Sequence, residues 1–393
     1  MNRRSHPAAF RSPQHGRLRP LALALACMGM GTTSGQTLNP GALPGFPQAG
    51  TVVGGAVTGG ISGSTMTLNQ STQRAIVEWG AFSLATGKAL NITQPGHRSV
   101  LLNRVTGIGQ PSEIFGSISA PGHVYIVNPA GVLFGAGSQV NVGGLVASTL
   151  ALSNEALLGP ANALADTALG INESFGFSGV STASVRVEAG ATLQAGHSSS
   201  GGGTPAIGLV ALMGGGEVSN AGTINVAQGT AALGSAGAVT LVIDPNGDGL
   251  TQMNFKAATD ALAQVVNAAT GSIQADGGAV LMGAVGKLGS LVQTAGVVRA
   301  QSLSVRGSEI SLAAAGEIRI EGKLDASAAA GATTAKGGDV LAVASGQIRV
   351  SEGARIEADG AAGGRVALQA VDALTLAPSA MISTNARANA GEG

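Results

Sequence analysis

After its first fifty residues, the chain consists of short apolar, β-prone runs separated by clusters of Gly, Asn, Asp and Ser. Many short strands with regular turn signals are typical of an all-β fold. A helical period is nearly absent. The exception is the segment 153–170, where Ser153 or Asn154 can cap a short helix that Gly159 and Pro160 interrupt. With 44% hydrophobic and only 11% charged residues, the chain is not a charged disordered segment.

The last third of the sequence repeats itself. The run GGDVLAVAS begins at Gly337, and a similar run, GGRVALQA, begins at Gly363, 26 residues later (363 − 337 = 26). Repeats of this length are typical of solenoids. In the segments 318–320 and 348–350, apolar residues alternate with Arg, so one side of each strand is apolar. The pattern predicts a parallel β-helix whose coils contact their neighbours, and roughly 22 residues a coil gives about sixteen coils.

The aromatic residues divide the chain into two regions. None follows Phe255, and most lie between residues 46 and 177. The aromatic residues of that region are Phe46, Trp79, Phe82, Phe115, Tyr125, Phe134, Phe175 and Phe177. We interpret the first region as an N-terminal β cap with a thicker core, because a bare β-helix end is an exposed sheet edge. The second region is interpreted as regular coils that are too narrow for rings.

The first 35 residues have the pattern of a secretory signal peptide. They contain five Arg and no acidic residue, an apolar run from Leu21 to Met30, and small residues up to Gly35. We therefore expect residues 1–35 to be removed, which also removes Cys27, the only cysteine. The remaining chain has 16 basic residues (21 − 5) and 21 acidic ones, a net charge near −5. With no basic tract and no later apolar run long enough to span a bilayer, nucleic acid is an unexpected partner and a membrane-spanning helix is not predicted.

The most strongly patterned stretch is VYIVNPAGVLFGAGSQVNVGGLVAST, residues 124–149. Asn128, Pro129 and Gly131 fit positions i, i+1 and i+3 of a type I turn between two apolar runs. The stretch contains no His, Cys, Asp, Glu, Lys or Arg, the residues that most often act as acids, bases or metal ligands. The stretch therefore predicts a fixed turn and paired strands rather than chemistry, with an exposed strand edge that a partner's sheet can extend.

This stretch and its neighbours resemble the N-terminal secretion domain of two-partner secretion exoproteins of the filamentous haemagglutinin type. The resemblance covers roughly residues 36–290. The similar segments are residues 77–95, 100–107, 111–149 and 210–233. The Asn-Pro-Asn-Gly motif of the family corresponds to residues 128–131, where Ala130 departs from it. A second Asn motif corresponds to residues 103–106, in the form found in the high-molecular-weight adhesin branch.

The resemblance implies a right-handed parallel β-helix with a capped N-terminus and no cofactor. It also implies export by the Sec route and then through an outer-membrane β-barrel transporter with POTRA modules. The product is then secreted or held on the surface of a Gram-negative bacterium. Adhesion or haemagglutination is the role expected, with host-cell surfaces or glycans as partners. The residues expected to form the motif that the transporter recognises are Asn103, Arg104, Asn128, Pro129 and Gly131.

The resemblance and the sequence patterns together predict four segments of the chain. Residues 1–35 are the signal peptide, and residues 36–180 are the cap and the first part of the secretion domain. Residues 181–290 complete that domain. Residues 291–393 begin a repetitive β-helical stalk, which either continues in a longer product or is truncated.

Two chemical alternatives remain open from the sequence. The segment 244–249, DPNGDG, matches the start of a calcium loop, but Phe255 stands at the twelfth position, where a bidentate Glu is expected, which favours a plain turn. The other alternative is a secreted carbohydrate-active enzyme on a β-helix. Its carboxylates would lie on separate coils that stacking can align. The candidate acids are Asp276, Asp325, Asp339 and Asp359.

Overall fold

The structure, a computed structural model, describes residues 37–39, 43–107, 109–159, 165–196, 208–304 and 307–386. The predicted signal peptide and Pro160 lie outside the described residues. Within the described residues, no helix is long and apolar enough to cross a membrane.

Three parallel sheets run along the described chain, and successive coils contribute strands to each of them in turn. Sheet I consists of β4 (Thr65–Gln70), β6 (Ala89–Thr93), the first halves of β9 (Ser117–Val127) and β11 (Gln139–Ser148), β15 (Thr192–Ala195), β18 (Thr223–Val226), β23 (Ser272–Gln274), β26 (Val297–Arg299), β29 (Lys323–Asp325), β32 (Arg355–Glu357) and β35 (Met381–Ser383). Sheet II consists of β5 (Arg74–Trp79), β7 (Val100–Val105), the second halves of β9 and β11, β16 (Leu209–Gly214), β19 (Thr230–Ser235), β24 (Ala279–Ala284), β27 (Glu309–Ala314), β30 (Asp339–Ala344) and β33 (Arg365–Ala370). Sheet III consists of β8 (Ser112–Ile114), β10 (Val132–Phe134), β14 (Val185–Val187), β17 (Glu217–Asn220), β22 (Ala263–Asn267), β25 (Ser290–Thr294), β28 (Glu317–Ile320), β31 (Gln347–Val350) and β34 (Ala373–Leu376). The predicted all-β fold and parallel β-helix are confirmed.

Antiparallel strands close the N-terminal end of the helix. β1 (Thr37–Leu38) pairs with β2 (Gly50–Gly54), β2 pairs with β5, and β3 (Val57–Ser62) forms a hairpin with β4. Trp79, at the end of β5, is fully buried under this cap and packs edge-on against Phe82, with ring centroids 5.8 Å apart. The predicted N-terminal β cap is thus present.

The interior of the helix is one apolar cluster that runs from the cap to the last coils. Along the three sheets, alternate side chains point inward, as the two-residue period of a strand requires. Ile318 and Ile348, for example, are register partners, and both are fully buried. The next residues on the same two strands, Arg319 and Arg349, are also register partners, and their side chains point outward. In the described coils beyond residue 257, the interior contains aliphatic side chains and no rings.

A second layer lies outside sheet II. It consists of β12 (Ala151–Leu152), α1 (Asn154–Leu158), β13 (Glu173–Ser178), β20 (Ala238–Ile243) and β21 (Thr251–Ala257). The four strands form an antiparallel sheet in the order β12-β13-β20-β21, and we call these five elements the outer layer. The predicted short helix is confirmed, with the Ser153 hydroxyl accepting a hydrogen bond from Ala156 N and Gly159 at the C-terminal cap.

The outer layer explains two features of the sequence. First, it creates a second apolar core between itself and sheet II. The runs VYIV and LVALM are therefore buried on both faces, which is why they lack polar alternation. Second, it takes residues out of the coils, as do long loops elsewhere. The prediction of about sixteen coils is therefore wrong, because eleven strands stack in sheet I of the described chain.

Candidate functional site

The predicted turn at residues 128–131 forms a corner between sheet II and sheet III. Gly131 N donates to the carbonyl oxygen of Asn128 over 3.0 Å, and Ala130 N donates to Asn128 Oδ1 over 2.9 Å. The first bond closes the four-residue turn, and the second is the bond with which Asn stabilises a turn from its first position. Gly131 has φ +121°, a conformation that other residues rarely adopt. The prediction of a turn is confirmed.

The side chain of Asn128 joins this coil to the preceding one. Its Nδ2 donates to the carbonyl oxygen of Gln110 over 2.9 Å and to Ser112 Oγ over 3.1 Å. The residue is only 1% exposed. Both polar ends of the amide are therefore used inside the molecule, and neither is available to a partner of the folded domain.

Pro129 is the exposed residue of the turn, and Ala130 is half-buried beside it. The carbonyl oxygen of Pro129 accepts a hydrogen bond from Ser181 Oγ at 2.5 Å, which links the turn to the next coil. Because Ala130 has only a methyl side chain, it offers no side-chain hydrogen bond where the family motif has Asn. The turn is retained because its second central position accepts Ala.

Asn103 lies inside the helix on the neighbouring strand. It occupies β7 opposite Ile126 of β9 and is fully buried. Its Oδ1 accepts a hydrogen bond from Trp79 Nε1 over 3.1 Å, and its Nδ2 donates to the carbonyl oxygen of Tyr125 over 3.4 Å. Asn103 on β7 and Asn128, the residue just after β9, are thus two residues apart in register on neighbouring coils, although they are 25 residues apart in sequence (128 − 103).

Arg104 points out of the helix toward the outer layer. Its Nη1 forms an ion pair with Glu78 over 2.9 Å, and its Nη2 donates to the carbonyl oxygen of Leu152 in β12 over 2.7 Å. Its guanidinium is therefore bound within the molecule. This contact fixes the edge of the outer layer beside the strand that carries Asn103.

The expected exposed strand edge is absent from residues 124–149. β9 pairs with β7 and β6 on one side and with β11 on the other. β10 lies between β8 and β14, and β11 continues the ladder to β15 and β16. The expectation of an open edge here is wrong, because stacking of coils uses both edges of every strand in this stretch.

Arg74 is a buried arginine that the sequence analysis did not single out. Its guanidinium forms a two-pronged ion pair with Glu173 of β13, at 2.5 and 2.8 Å. It also donates to the carbonyl oxygens of Leu157, Thr167 and Ala168, at 2.9, 2.9 and 3.1 Å. A charged residue at the start of the apolar run RAIVEW was the available signal, since a buried charge requires a partner.

Comparison with known proteins decides the family. The TPS secretion domain family matches residues 47–292, more than half of the chain. The chain belongs to this family. It therefore carries the secretion domain of a two-partner secretion exoprotein, a class that leaves the cell through an outer-membrane partner. This is a family of exoprotein secretion domains and not a family of enzymes.

Solved secretion domains share the fold. The crystal structure of the HMW1 secretion domain from Haemophilus influenzae superposes with a TM-score of 0.65, at 22% identity, over 86% of this chain and 84% of that one. The filamentous hemagglutinin secretion domain superposes with a TM-score of 0.50, at 15% identity, over 84% of this chain and 99% of that one. These likenesses support a β-helix for this secretion domain.

A heme/hemopexin-binding protein of Haemophilus influenzae is similar in sequence. It is 39% identical over 104 residues, which is 26% of this chain and 11% of that protein. The chain thus matches about a tenth of the length of this relative. The binding of heme and hemopexin, which the name of the relative states, is therefore a property of that protein.

Three of the carboxylates that the enzyme alternative would use form ion pairs or hydrogen bonds within the protein. Asp276, Asp325 and Asp359 lie along one corner of the helix, at or just after the ends of β23, β29 and β32, and the coil of β26 separates Asp276 from Asp325. Asp276 forms an ion pair with Arg299 at 2.5 Å, and Asp325 forms one with Lys323 at 3.1 Å. Asp359 accepts hydrogen bonds from Ser383 Oγ and Asn385 N, at 2.5 and 2.6 Å. The corner acts as a polar ladder that fixes the stacking of coils.

Asp339 lies away from that corner, on sheet II beside Glu309. Burial, and secondarily the carboxylate of Asp339, raises the pKa of Glu309. Glu309 and Asp339 are neighbours on sheet II, whereas the other three candidate acids lie at the corner described above. The four acids named from the sequence therefore do not form one cluster.

The segment 244–249 is the turn between β20 and β21. Asp244 Oδ1 accepts a hydrogen bond from Gly249 N over 2.7 Å, and Asp248 Oδ1 accepts one from Leu250 N over 2.9 Å. Asp244 Oδ2 lies 3.4 Å from Arg98 Nη2. Within the described residues, no group of three or more His, Cys, Asp or Glu is placed to bind a metal ion.

His123 is a buried imidazole under the outer layer, between Val100 and Gly144 on sheet II. It is fully buried, and neither ring nitrogen has a hydrogen-bond partner among the described residues. Burial, and secondarily the positive charge of Arg98, lowers the pKa of His123 to about 3. A Cβ on Gly144 would stand 2.2 Å from His123 Nδ1, so Gly144 provides the space for the ring.

We expect the stability of the domain to fall as the pH falls from 6.5 toward 3. In this window the unfolded chain binds a proton at His123, with a pKa near 6.5, and the folded chain does not. The loss is about 1.4 kcal/mol per pH unit below 6.5, hence about 2 kcal/mol at pH 5. Urea unfolding at pH 7.5 and pH 5 measures it, with His123→Gln as the control. Equal pH dependence in the two proteins would show that His123 is not responsible.

Proposed function

We propose that this chain is exported in two steps and acts outside a Gram-negative cell. Residues 1–35 direct it through the Sec route, and an outer-membrane β-barrel transporter with POTRA modules then recognises the secretion domain. The family membership and the Arg-rich, apolar N-terminus support this proposal. The product is released or remains at the cell surface.

We propose that the transporter recognises the motif in the extended chain. The observation that carries this is the burial of Asn103 and Asn128, whose amides bond internally, at 0% and 1% exposure. In an extended chain the same groups are free to bond to a partner. Of the other motif residues, Arg104 is bound to Glu78 and Leu152, and Gly131 is buried, whereas Pro129 is exposed. Folding therefore hides most of the signal once export has occurred.

We further propose that residues 291–393 begin the stalk of an adhesive or haemagglutinating exoprotein. The described coils of this segment are regular, with aliphatic interiors, and strands such as β28 and β31 have polar outer faces. Host-cell surfaces or glycans would be the partners of the extracellular part. The TPS family membership supports the exoprotein class, and the adhesive role is the finer part of the proposal.

Export of a motif variant tests the recognition step. The full chain is produced with its transporter, and the amount in the medium is compared for wild type and for Asn128→Ala with Pro129→Ala. Asn220→Ala is the matched control, because Asn220 is also fully buried and bonds through its amide, to Asn267 Oδ1 at 2.9 Å, but lies outside the motif. Asn128→Ala and Asn220→Ala each remove internal side-chain hydrogen bonds, at a cost of about 1–3 kcal/mol.

We expect the motif variant to remain in the cell and the Asn220→Ala protein to reach the medium. If both variants are exported like wild type, residues 128 and 129 are structural and are not read by the transporter. If both are retained to the same degree, the defect follows lost stability rather than lost recognition.

A further inference from the structure

The strands that carry the two Asn motifs are apolar on their outward faces as well as inside the helix. Six of the outward side chains of β5, β7, β9 and β11 belong to the core beneath the outer layer, and Arg74 and Arg104, at the strand ends on the same side, bond to the outer layer. The six are Ile76, Val100, Leu102, Tyr125, Val127, Val146. A bare helix of these coils would expose one continuous apolar face to water, which is unfavourable.

β12 and α1, which directly follow β11, cover part of this face, and the rest of its cover comes from far along the chain. Phe175 and Phe177 lie on β13, and Val239, Leu241 and Ile243 lie on β20. The rings of Tyr125 and Phe175 meet edge-to-face, with centroids 6.3 Å apart. More than a hundred residues separate β9 from β20, so closing this core requires a large part of the domain.

β13 depends on β20 for its place in the outer layer. The two strands pair over six positions, from Glu173 opposite Ile243 to Ser178 opposite Ala238. On its other edge β13 pairs with the two residues of β12. A pair of strands joined by only two residues of each needs further strands or packing for stability. Without β20, β13 is held by β12, by the ion pair of Glu173 with Arg74 and by packing of Phe175 on sheet II, and its long edge stays unpaired.

Polar contacts connect the end of β20 directly to the motif coils. Asp244 Oδ2 lies 3.4 Å from Arg98 Nη2, and the carbonyl oxygen of Asp244 accepts from Asn172 N over 3.2 Å. Arg98 precedes β7, the strand of Asn103, and its carbonyl oxygen accepts from Leu169 N over 2.9 Å. Asp244 is thus in contact with both the outer layer and the start of the Asn103 strand.

We propose that the coils carrying Asn103 and Asn128 close only when β20 and β21 have emerged, so that the motif stays readable until residues 238–257 have left the transporter. This rests on the proposed function, in which the transporter reads the motif in the extended chain. The outer layer then sets the point in export at which recognition ends. Folding of the motif coils therefore waits for residues that lie more than a hundred positions downstream.

The order of folding in the purified full chain tests this proposal without a transporter. The chain is refolded from urea, and pulse-labelling hydrogen exchange follows the backbone amides of β7, β9, β13 and β20. We expect β7 and β9 to gain protection at the same rate as β13 and β20. Protection of β7 and β9 ahead of β20 would overturn the proposal.

Leu241→Ala and Leu312→Ala form a matched pair for the same experiment. Leu241 is fully buried in the outer layer, and Leu312 is fully buried inside the helix at β27. We expect Leu241→Ala to slow protection of β7 and β9 about tenfold. Leu312→Ala should leave that rate unchanged, and equal slowing by both would contradict the proposal.

If Leu241→Ala does not fold, the order of protection in the wild-type chain still decides. The result is also separate from the proposed function. If export depends on the transporter but β7 and β9 become protected before β20, this inference is wrong and the proposed function stands. If β7, β9, β13 and β20 become protected together but export does not depend on the transporter, the proposed function is wrong and the folding order is still supported.

Discussion

Replacing Arg74 with Met is expected to lower the free energy of unfolding by about 3–5 kcal/mol, because removing one partner of a buried ion pair leaves an uncompensated charge. Arg74 is 2% exposed and forms two bonds with the Glu173 carboxylate. The substitution also leaves three backbone carbonyl oxygens, those of Leu157, Thr167 and Ala168, without their donor. Met retains the bulk of the side chain, so the loss measures the polar contacts.

Urea unfolding of the Arg74→Met protein measures this loss. Arg186→Met is the control, because the Arg186 side chain is 55% exposed and lies 3.6 Å from Glu217. An exposed pair of this kind contributes about 0–1 kcal/mol. Equal stability changes in the two variants would contradict the role given to Arg74 in fixing the outer layer.

Replacing Trp79 with Ala is expected to cost about 3–5 kcal/mol, the range for removing a large buried aromatic side chain. Trp79 is fully buried, contacts Phe82 under the cap and donates its Nε1 hydrogen to Asn103. A Cβ on Gly50 would stand 2.5 Å from the Trp79 ring, so Gly50 leaves the space that the indole fills. The indole therefore links the cap to the first Asn motif.

Thermal or urea unfolding measures the Trp79→Ala effect, and Trp79→Phe separates packing from the hydrogen bond. The Phe variant keeps a ring but leaves Asn103 Oδ1 without its donor, at a cost of about 1–3 kcal/mol. The chain has one Trp, so its fluorescence reports the cap of the wild-type protein. A cost below about 1 kcal/mol for Trp79→Ala would show that the cap does not depend on this residue.

Local sequence patterns were sufficient to predict the β-helix and the turn at residues 128–131. Alternation such as Ile318-Arg319-Ile320 marks one buried and one exposed face within three residues. Asn128 and Gly131 carry the turn through their own bonds. The alternation and the turn are both local signals, and the regular repeat of the last third supplies the stacking partner of each strand from the next repeat.

The outer layer could not be predicted in the same way, because it depends on pairing between distant segments. Glu173 pairs with Ile243 across 70 residues (243 − 173), and Arg98 meets Asp244 across 146. Apolar runs such as those of β9 and β16 are typical of strands buried on both faces, but they do not say which segment covers them. The location of the motif amides inside the molecule depends on the same long-range stacking.

Export of the full chain with and without its outer-membrane transporter tests the central claim most directly. The chain is produced in two strains that differ only in the transporter gene, and the amounts in the medium and in the cell are measured. We expect the chain in the medium only when the transporter is present. Equal amounts in the medium of both strains, or retention in both, would contradict transporter-dependent export of this secretion domain.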